Sequence, residues 1–272
     1  MRITILLFVF FAGAAVRAQP RDPWRGKQCA VVLTYDDALN VHLDQAVPVL
    51  DSLGLKATFY LSGFFPGFQK RVGDWKAAAA AGHELANHTL FHPCTGNVPG
   101  REWVKPDYDL SKYTPKRMAD EIRMTNTLLQ ALDGKTQRTF AYPCGDTRIG
   151  GVPYFPQVAD AFVAARGVHT EFVSIGQTDL DNVGSVVVNG QTGEQLIALV
   201  QKAMQTHSML VFLFHGVGGE HDLNVSLPAH RQLLTFLHQH RQQLWVAPFL
   251  EVARHVKDYQ QAAKAAKPAS PR

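Results

Sequence analysis

The chain has 272 residues, 46 % hydrophobic and 18 % charged, a composition that excludes a disordered, collagenous or coiled-coil protein. Lys and Arg number 27 against 23 Asp and Glu, a formal +4, too small an excess for a nucleic-acid footprint. Three cysteines leave no paired disulfide framework, whereas twelve histidines direct attention to metals and proton transfer.

Met1 to Ala18 reads as a secretory signal peptide: Arg2 gives a positive start, Ile3 to Ala15 is apolar, and Val16-Arg17-Ala18 offers a small-residue cleavage site before Gln19. The run is short for a membrane span of about 20 residues, and no later stretch is long and apolar enough. Cleavage removes Arg2 and Arg17 from the 27 basic residues, leaving 25 against 23 acidic, or +2. The mature protein is therefore expected to be secreted or periplasmic, with no stable membrane insertion. Residues 19–26 form an N-terminal segment and residues 27–257 one domain. From 258 a polar, Ala/Pro-rich tail begins, with Gln260 to Arg272 expected to fray.

Within the domain, Cys29 to Tyr35 reads as a buried strand, and Val41 to Leu53 as a helix stopped by Gly54. Lys56 to Leu61 is the second strand, Trp75 to Ala81 a helix closed by Gly82, and Pro115 to Leu132 a long amphipathic helix. Thr139 to Tyr142 is a strand, and Gln157 to Ala165 reads as helical. Strands at Ser185–Val188 and Met209–Phe214 flank a helix at Glu194–Met204. Helices at Pro228–His240 and Pro248–Val256 flank a short strand at Trp245. This alternation predicts an α/β fold with a largely parallel sheet, open or closed into a barrel, and places chemistry at the C-terminal ends of strands.

Four strand ends carry polar residues. Asp36 and Asp37 are adjacent carboxylates that need a cation or metal nearby, although one of them could cap the following helix. His88 and His92 stand four apart, and on one helical turn would face the same way. Tyr142-Pro143-Cys144-Gly145 is a sharp turn whose backbone N–H groups are either an oxyanion hole or a plain strand-to-loop turn. His215 ends an apolar strand. Asp plus two His is a ligand set for Zn²⁺ that leaves positions open for water. His238 and His240 read as surface residues.

These same residues give the chain a resemblance to the polysaccharide deacetylases of the NodB-homology type, carbohydrate esterase family 4, from about Lys27 to Lys257. The first motif of that family, T-F-D-D-G, is similar to Thr34-Tyr35-Asp36-Asp37-Ala38. The second, H-[ST]-x-x-H, matches His88-Thr89-Leu90-Phe91-His92, and the strand-end histidine motif resembles Phe212-Leu213-Phe214-His215. The resemblance implies a distorted (β/α) barrel with fewer than eight regular units and makes residues 27–257 the catalytic domain. It implies Asp36 as general base, Asp37, His88 and His92 as ligands of a divalent metal (Zn²⁺ first, Co²⁺ or Ni²⁺ as alternatives) and His215 as general acid. Leu213 would line the pocket for the acetyl methyl, and Tyr142 and the backbone N–H of Cys144 would also meet substrate. The implied activity is metal-dependent removal of acetyl groups from an acetylated carbohydrate, N- or O-linked. No nucleic-acid partner is expected.

The sequence departs from the pattern in three places. Ala38 replaces a Gly and asks for an ordinary backbone conformation. The arginine of the third motif is absent from Ala141-Tyr142-Pro143-Cys144; Arg166 is the first candidate to orient the base in its place and Arg138 the second. No Trp follows Asp179 or Asp181 to complete the element that orients the acidic His. The different-class alternative is a catalytically weak carbohydrate-binding protein on the same fold. There is no G-x-S-x-G elbow, and Asp133-Gly134-Lys135-Thr136 is a helix-ending turn rather than a phosphate loop. Asn87-His88-Thr89 and Asn224-Val225-Ser226 fit glycosylation sequons, the first too close to the site to be used. In the long Cys94–Tyr113 loop, Trp103, Tyr108 and Tyr113 either stack on sugar rings or pack over the barrel mouth. On the barrel reading Cys94 and Cys144 approach each other; they form a disulfide, or all three cysteines are reduced.

Overall fold

A computed structural model describes residues 23–266. The expected signal peptide and the last six residues lie outside them. The strands are β1 (Cys29–Asp36), β2 (Thr58–Leu61), β3 (Glu84–Asn87), β4 (Arg138–Ala141), β5 (Arg148–Ile149), β6 (Val152–Pro153), β7 (Phe162–Arg166), β8 (Val186–Val187), β9 (Met209–Phe214), β10 (Gly216–Val217), β11 (Asn224–Val225) and β12 (Leu244–Val246). The α-helices are α1 (Val47–Ser52), α2 (Pro66–Gln69), α3 (Val72–Ala80), α4 (Pro115–Asp133), α5 (Gly193–Thr206), α6 (Leu227–Gln239) and α7 (Phe249–Ala265).

The main sheet is parallel, in the order β7-β4-β3-β2-β1-β9-β8, with β12 paired to the first half of β1. The sheet curls, and residues 180–188 link its two edges. Val183 N donates to Ala165 O (2.8 Å), Ala165 N to Leu180 O (2.8 Å), and Val188 N to Leu213 O (2.9 Å). The result is the distorted barrel expected from the motifs.

The period-2 geometry of strands sorts every barrel residue. In β1, Cys29, Val31, Leu33 and Tyr35 face the outer core beneath the helices. Ala30 and Val32 face inward, where Ala86, Ala141, Ala164, Met209 and Val211 meet Phe249, Val252, Ala253 and Val256 of α7. Small residues in the barrel leave room for this helix to plug its base. Above the plug, Glu84 is buried and accepts from Leu250 N (2.9 Å), Thr58 Oγ1 (2.7 Å) and Thr139 Oγ1 (2.6 Å). It thus supplies the anionic cap that Pro248 cannot give the start of α7. The same parity carries Asp36, His88, Arg166 and His215 to the inner rim of the mouth.

Four local expectations differ. Residues 157–165 are two 3₁₀ turns, Phe155–Gln157 and Ala159–Ala161, running into β7, because the apolar run Phe162-Val163-Ala164-Ala165 pairs with β4 instead of continuing a helix. The helix after β1 opens as a π-helix, His42–Ala46, with Val47 N bonded to His42 O; Pro48 lacks the N–H that an α-turn would use there. α7 runs on to Ala265, so the polar stretch from 258 is helical over that length. His238 and His240 are half-buried, His238 Nδ1 bonding to Leu53 O (2.7 Å).

Two buried histidines underlie the mouth. His42 Nε2–H donates to His215 O (2.7 Å), and His230 Nε2 is hydrogen-bonded to the Tyr35 hydroxyl (2.7 Å). Burial pushes their pKa values down to about 4 and about 3. In the unfolded chain both titrate near 6.5, so between roughly pH 6.5 and 4 the unfolded state binds more protons and stability rises with pH. The melting temperature of the metal-free protein should therefore fall steadily as pH drops from 7 to 4.5. A flat profile over that range in thermal unfolding followed by circular dichroism would contradict it.

Candidate metal centre

The pair at the end of β1 is separated by the backbone. Asp37 has φ +80° and Ala38 φ +54°, so the chain turns left-handed immediately after Asp36, and the Ala sits in the conformation the missing Gly would favour. Gly67 allows this turn, because a Cβ there would collide with the Ala38 carbonyl. Neither aspartate caps the next helix, whose first N–H, at Val41, is taken by Glu220 Oε2 (2.8 Å).

Asp36 points inward and is buried against Arg166, which is itself fully buried and lies over the Tyr60 ring (5.0 Å). Burial alone would raise the Asp36 pKa. The Arg166 guanidinium, with His88 and His215, outweighs it and holds the carboxyl below its ordinary value. The structure thus places Arg166, not Arg138, on Asp36. Arg138 sits at the other end of β4, bonded to Asp133 and Leu85 O.

His88 and His92 do not share a helical turn; they flank an irregular loop after β3, with Thr89 at φ +65° and His92 at φ +53°. The loop is fixed by its own polar residues. Asn87 Oδ1 accepts from Thr89 N (2.8 Å), Thr89 Oγ1 from His92 N (2.9 Å), and the buried Glu121 from Phe91 N (2.9 Å). The Asn87 amide donates to Ile122 O (2.8 Å) and Asn126 Oδ1 (2.7 Å), so this sequon is structural. His88 Nδ1–H donates to Ala141 O (2.9 Å), which leaves the Nε2 lone pair facing the site. Burial pushes both histidines down to about 4, so both rings are neutral at pH 7.

Asp37 Oδ1 lies 3.5 Å from His88 Nε2 and 3.4 Å from His92 Nε2. It is buried and has no hydrogen-bond partner among the described residues. Two ligands each about 2.1 Å from one ion, at the tetrahedral angle, stand about 3.4 Å apart. These three side chains therefore fit a divalent ion. A second cluster shares Asp37 with His215 and His221, but its spacings are 3.8 and 3.9 Å. His221 Nδ1 also accepts from Leu223 N (2.9 Å), which puts the proton of the neutral ring on Nε2. That cluster presents a donor where a metal needs a lone pair.

His215 completes the rim and stacks on His221 (4.5 Å), a residue sequence reasoning missed; its only signal is the Gly-rich stretch His215–His221. Burial pushes His215 down to about 4, and its Nδ1 is buried without a hydrogen-bond partner among the described residues. Asp179 and Asp181 are exposed and do not orient it; the Asp181 carbonyl instead accepts from the Tyr142 hydroxyl (2.8 Å). Leu213, Tyr142 and Cys144 line the same cavity, of about 640 Å³, as Asp36, Asp37, His88, His92 and His215. Cys144 sits in a 3₁₀ turn at φ +55° and is disulfide-bonded to Cys94, leaving Cys29 free and buried in β1. Arg101 braces this turn through Cys144 O (3.0 Å) and Asp146 Oδ2 (2.6 Å).

Residues 25–149 match the family model described as polysaccharide deacetylase. It is 26 % identical over 187 residues to a chitooligosaccharide deacetylase of Rhizobium leguminosarum bv. trifolii, covering 65 % of this chain and 86 % of that one. It is 30 % identical over 109 residues to the uncharacterized protein YlxY of Bacillus subtilis (strain 168), or 40 % of this chain and 29 % of YlxY. The chain thus spans under a third of the length of the first curated relatives it matches. A Mycobacterium smegmatis structure assigned to the polysaccharide deacetylases shares the fold at TM-score 0.62, with 15 % identity over 91 % of this chain and 94 % of that one. So does a structure from Bacillus anthracis described as a pseudoenzyme of carbohydrate esterase family 4, at TM-score 0.51 and 18 % identity over 85 % of this chain and 66 % of that one.

The two clusters around Asp37 make opposite predictions. Protein dialysed against Zn²⁺ should hold about one ion per chain by mass spectrometry of the metal. His88→Ala should lose that ion and His221→Ala should keep it. Zn²⁺ retained by His88→Ala would reject the assignment.

Proposed function

We propose that this chain is a divalent-metal-dependent hydrolase that removes acetyl groups from an acetylated carbohydrate. The observation that carries the reading is a buried carboxylate, Asp36, kept ionised by Arg166 and set 3.8 Å from a ring of the Asp37-His88-His92 cluster. A structural ion pair would have no reason to stand beside an unsatisfied Asp37 Oδ1 and two imidazole nitrogens that line a cavity.

Asp37, His88 and His92 would hold the ion, with Zn²⁺ the first candidate for an N,N,O set. When bound, it supplies a Lewis acid that lowers the pKa of water and polarises the acetyl C=O. Asp36 takes the proton of the attacking water as its oxygen bonds to the acetyl carbon. The Cys144 backbone N–H donates to the oxygen on which negative charge develops, and the disulfide and Arg101 hold that turn in place. His215 is neutral at rest. As negative charge grows on the substrate beside it, His215 takes up the proton that Asp36 removed from the water and delivers it to the leaving nitrogen or oxygen as the bond to carbon breaks and acetate departs. Leu213 shapes the space for the acetyl methyl, and Tyr142 closes one side. The disulfide fits the oxidising compartment that the signal-peptide reading of residues 1–18 calls for.

A catalytically weak carbohydrate-binding protein is the second reading. The unpartnered His215 Nδ1 favours it, and the fold is shared with a pseudoenzyme. The arginine whose absence from the third motif motivated it stands on β7 instead, at Arg166, which speaks for catalysis.

Acetate release from a panel of N- and O-acetylated oligosaccharides, with and without chelator, separates the two readings. Chelator-sensitive release supports the hydrolase, and no release with any substrate rejects it. Asp36→Asn should keep the metal and lose about 10²–10⁴-fold in kcat. Arg166→Met should shift the acid limb of kcat/KM to higher pH, because burial then raises the Asp36 pKa unopposed and the base is protonated sooner. An unmoved limb would remove Arg166 from this role.

A further inference from the structure

We infer that reduction of the Cys94–Cys144 bridge creates a further cation site, made of the two sulfurs and His92 Nδ1. This site and the Asp37-His88-His92 cluster share His92 through its opposite ring nitrogens, so only one of them holds an ion at a time. The inference goes beyond the hydrolase, and only its consequence for acetate release rests on that reading.

The geometry is already that of a cation site. Cys94 Sγ lies 3.6 Å from His92 Nδ1. Zn–S of about 2.3 Å and Zn–N of about 2.1 Å, at the tetrahedral angle, put sulfur and nitrogen about 3.6 Å apart. The Cys144 sulfur is bonded to that of Cys94, and the three ligand atoms lie within 4.8 Å of one another. Two thiolates and an imidazole favour a thiophilic cation such as Zn²⁺, Cd²⁺ or Cu⁺.

The two cysteines stay together without their bridge, because polar contacts tie the same two loops. Thr95 N donates to Asp146 Oδ2 (2.8 Å). Arg101 donates to Asp146 Oδ2 (2.6 Å) and to Cys144 O (3.0 Å). Cys94 O accepts from Leu110 N (2.9 Å). Cys94 is buried, whereas Cys144 and His92 line the metal cavity, which admits both reductant and cation.

A neutral imidazole has one lone pair and one N–H. A bridged sulfur carries no proton, so His92 Nδ1–H donates to it, and the Nε2 lone pair faces Asp37 Oδ1 at 3.4 Å. The disulfide is thus the outer partner that a metal-binding histidine needs. When Nδ1 binds a cation instead, the proton sits on Nε2 and the Asp37 cluster loses a ligand. In the reduction step a phosphine attacks the Cys144 sulfur and gives up two electrons. The S–S bond breaks, the phosphine leaves as its oxide with the oxygen of one water, and the two protons of that water go to the sulfurs. Each thiol releases its proton to solvent as its bond to the cation forms.

The test is Co²⁺ titration of the full chain, before and after reduction with a water-soluble phosphine under nitrogen, followed by absorbance. The reduced wild type should show a sulfur-to-cobalt charge-transfer band and hold about one ion per chain. The oxidised wild type should hold its ion without that band. Reduced His88→Ala should keep the band, and His92→Ala should weaken Co²⁺ binding by the reduced chain about tenfold or more. The double variant Cys94→Ser/Cys144→Ser should lose the band, which also excludes Cys29, the buried free thiol. Circular dichroism checks that each form is folded. A reduced wild type that unfolds, shows no band or holds two ions overturns the inference. So does an undiminished band in the folded double variant, a band lost in folded His88→Ala, or unweakened binding by folded His92→Ala. An oxidised chain that holds no ion rejects the Asp37 cluster, and the band of the reduced chain still decides the sulfur site.

Discussion

Two carboxylates end the central strand, and the mouth of the barrel is organised around keeping them apart. Adjacent anions beside an apolar run repel, and each needs its own partner. The left-handed turn at Asp37 and Ala38 sends Asp36 inward to Arg166 and Asp37 across the mouth to His88 and His92. That turn is unfavourable for non-glycine residues by roughly 1 kcal/mol or more apiece. It recurs at Thr89, His92 and Cys144, each on a loop carrying one side of the same site. Strain concentrated there is held in place by the surrounding core, the Asn87–Thr89–Glu121 hydrogen bonds and the Cys94–Cys144 bridge.

Part of this was legible because apolar runs stop where the polar residues begin: Cys29–Tyr35 and Met209–Phe214 read as buried strands, which put Asp36 and His215 at strand ends. His88 was legible through its spacing to His92 and the motif they form, not through a strand. Arg166 was legible as the candidate substitute for the missing arginine. The context of Arg166 was less so. Residues 157–165 carry enough alanine and spacing to read as a helix, and only pairing with β4 makes Phe162–Arg166 a strand.

What the sequence could not carry was loop geometry. An i,i+4 pair of histidines suggests a helical turn, but here two positive-φ residues bring the rings together, and nothing local distinguishes the two solutions. The alanine after the Asp pair suggests an ordinary backbone, yet the gap left by Gly67, 29 positions away, permits the unusual one. Glu84 belongs to the same class. Nothing in the sequence marks it, and only the arrival of α7 in the barrel gives its carboxylate the Leu250 amide to accept from.

The histidine at the end of β9 shows how a departure from the family pattern is absorbed physically. The proton donor proposed at His215 needs its ring held, and among the described residues no carboxylate holds it through Nδ1. Its position is fixed from two other directions. His42 donates to the His215 carbonyl from below and fixes the backbone, and His221 stacks on the ring at 4.5 Å and fixes its plane. Neither contact supplies negative charge to Nδ1, so neither stabilises the imidazolium as a carboxylate would. The ring is positioned but left neutral, and the anionic groups that can draw a proton onto it are Asp36, Asp37 and the charge developing on the substrate itself. On the proposed function, proton delivery by His215 would be tied to the moment at which the C–O or C–N bond breaks, instead of being set in advance by a resident partner.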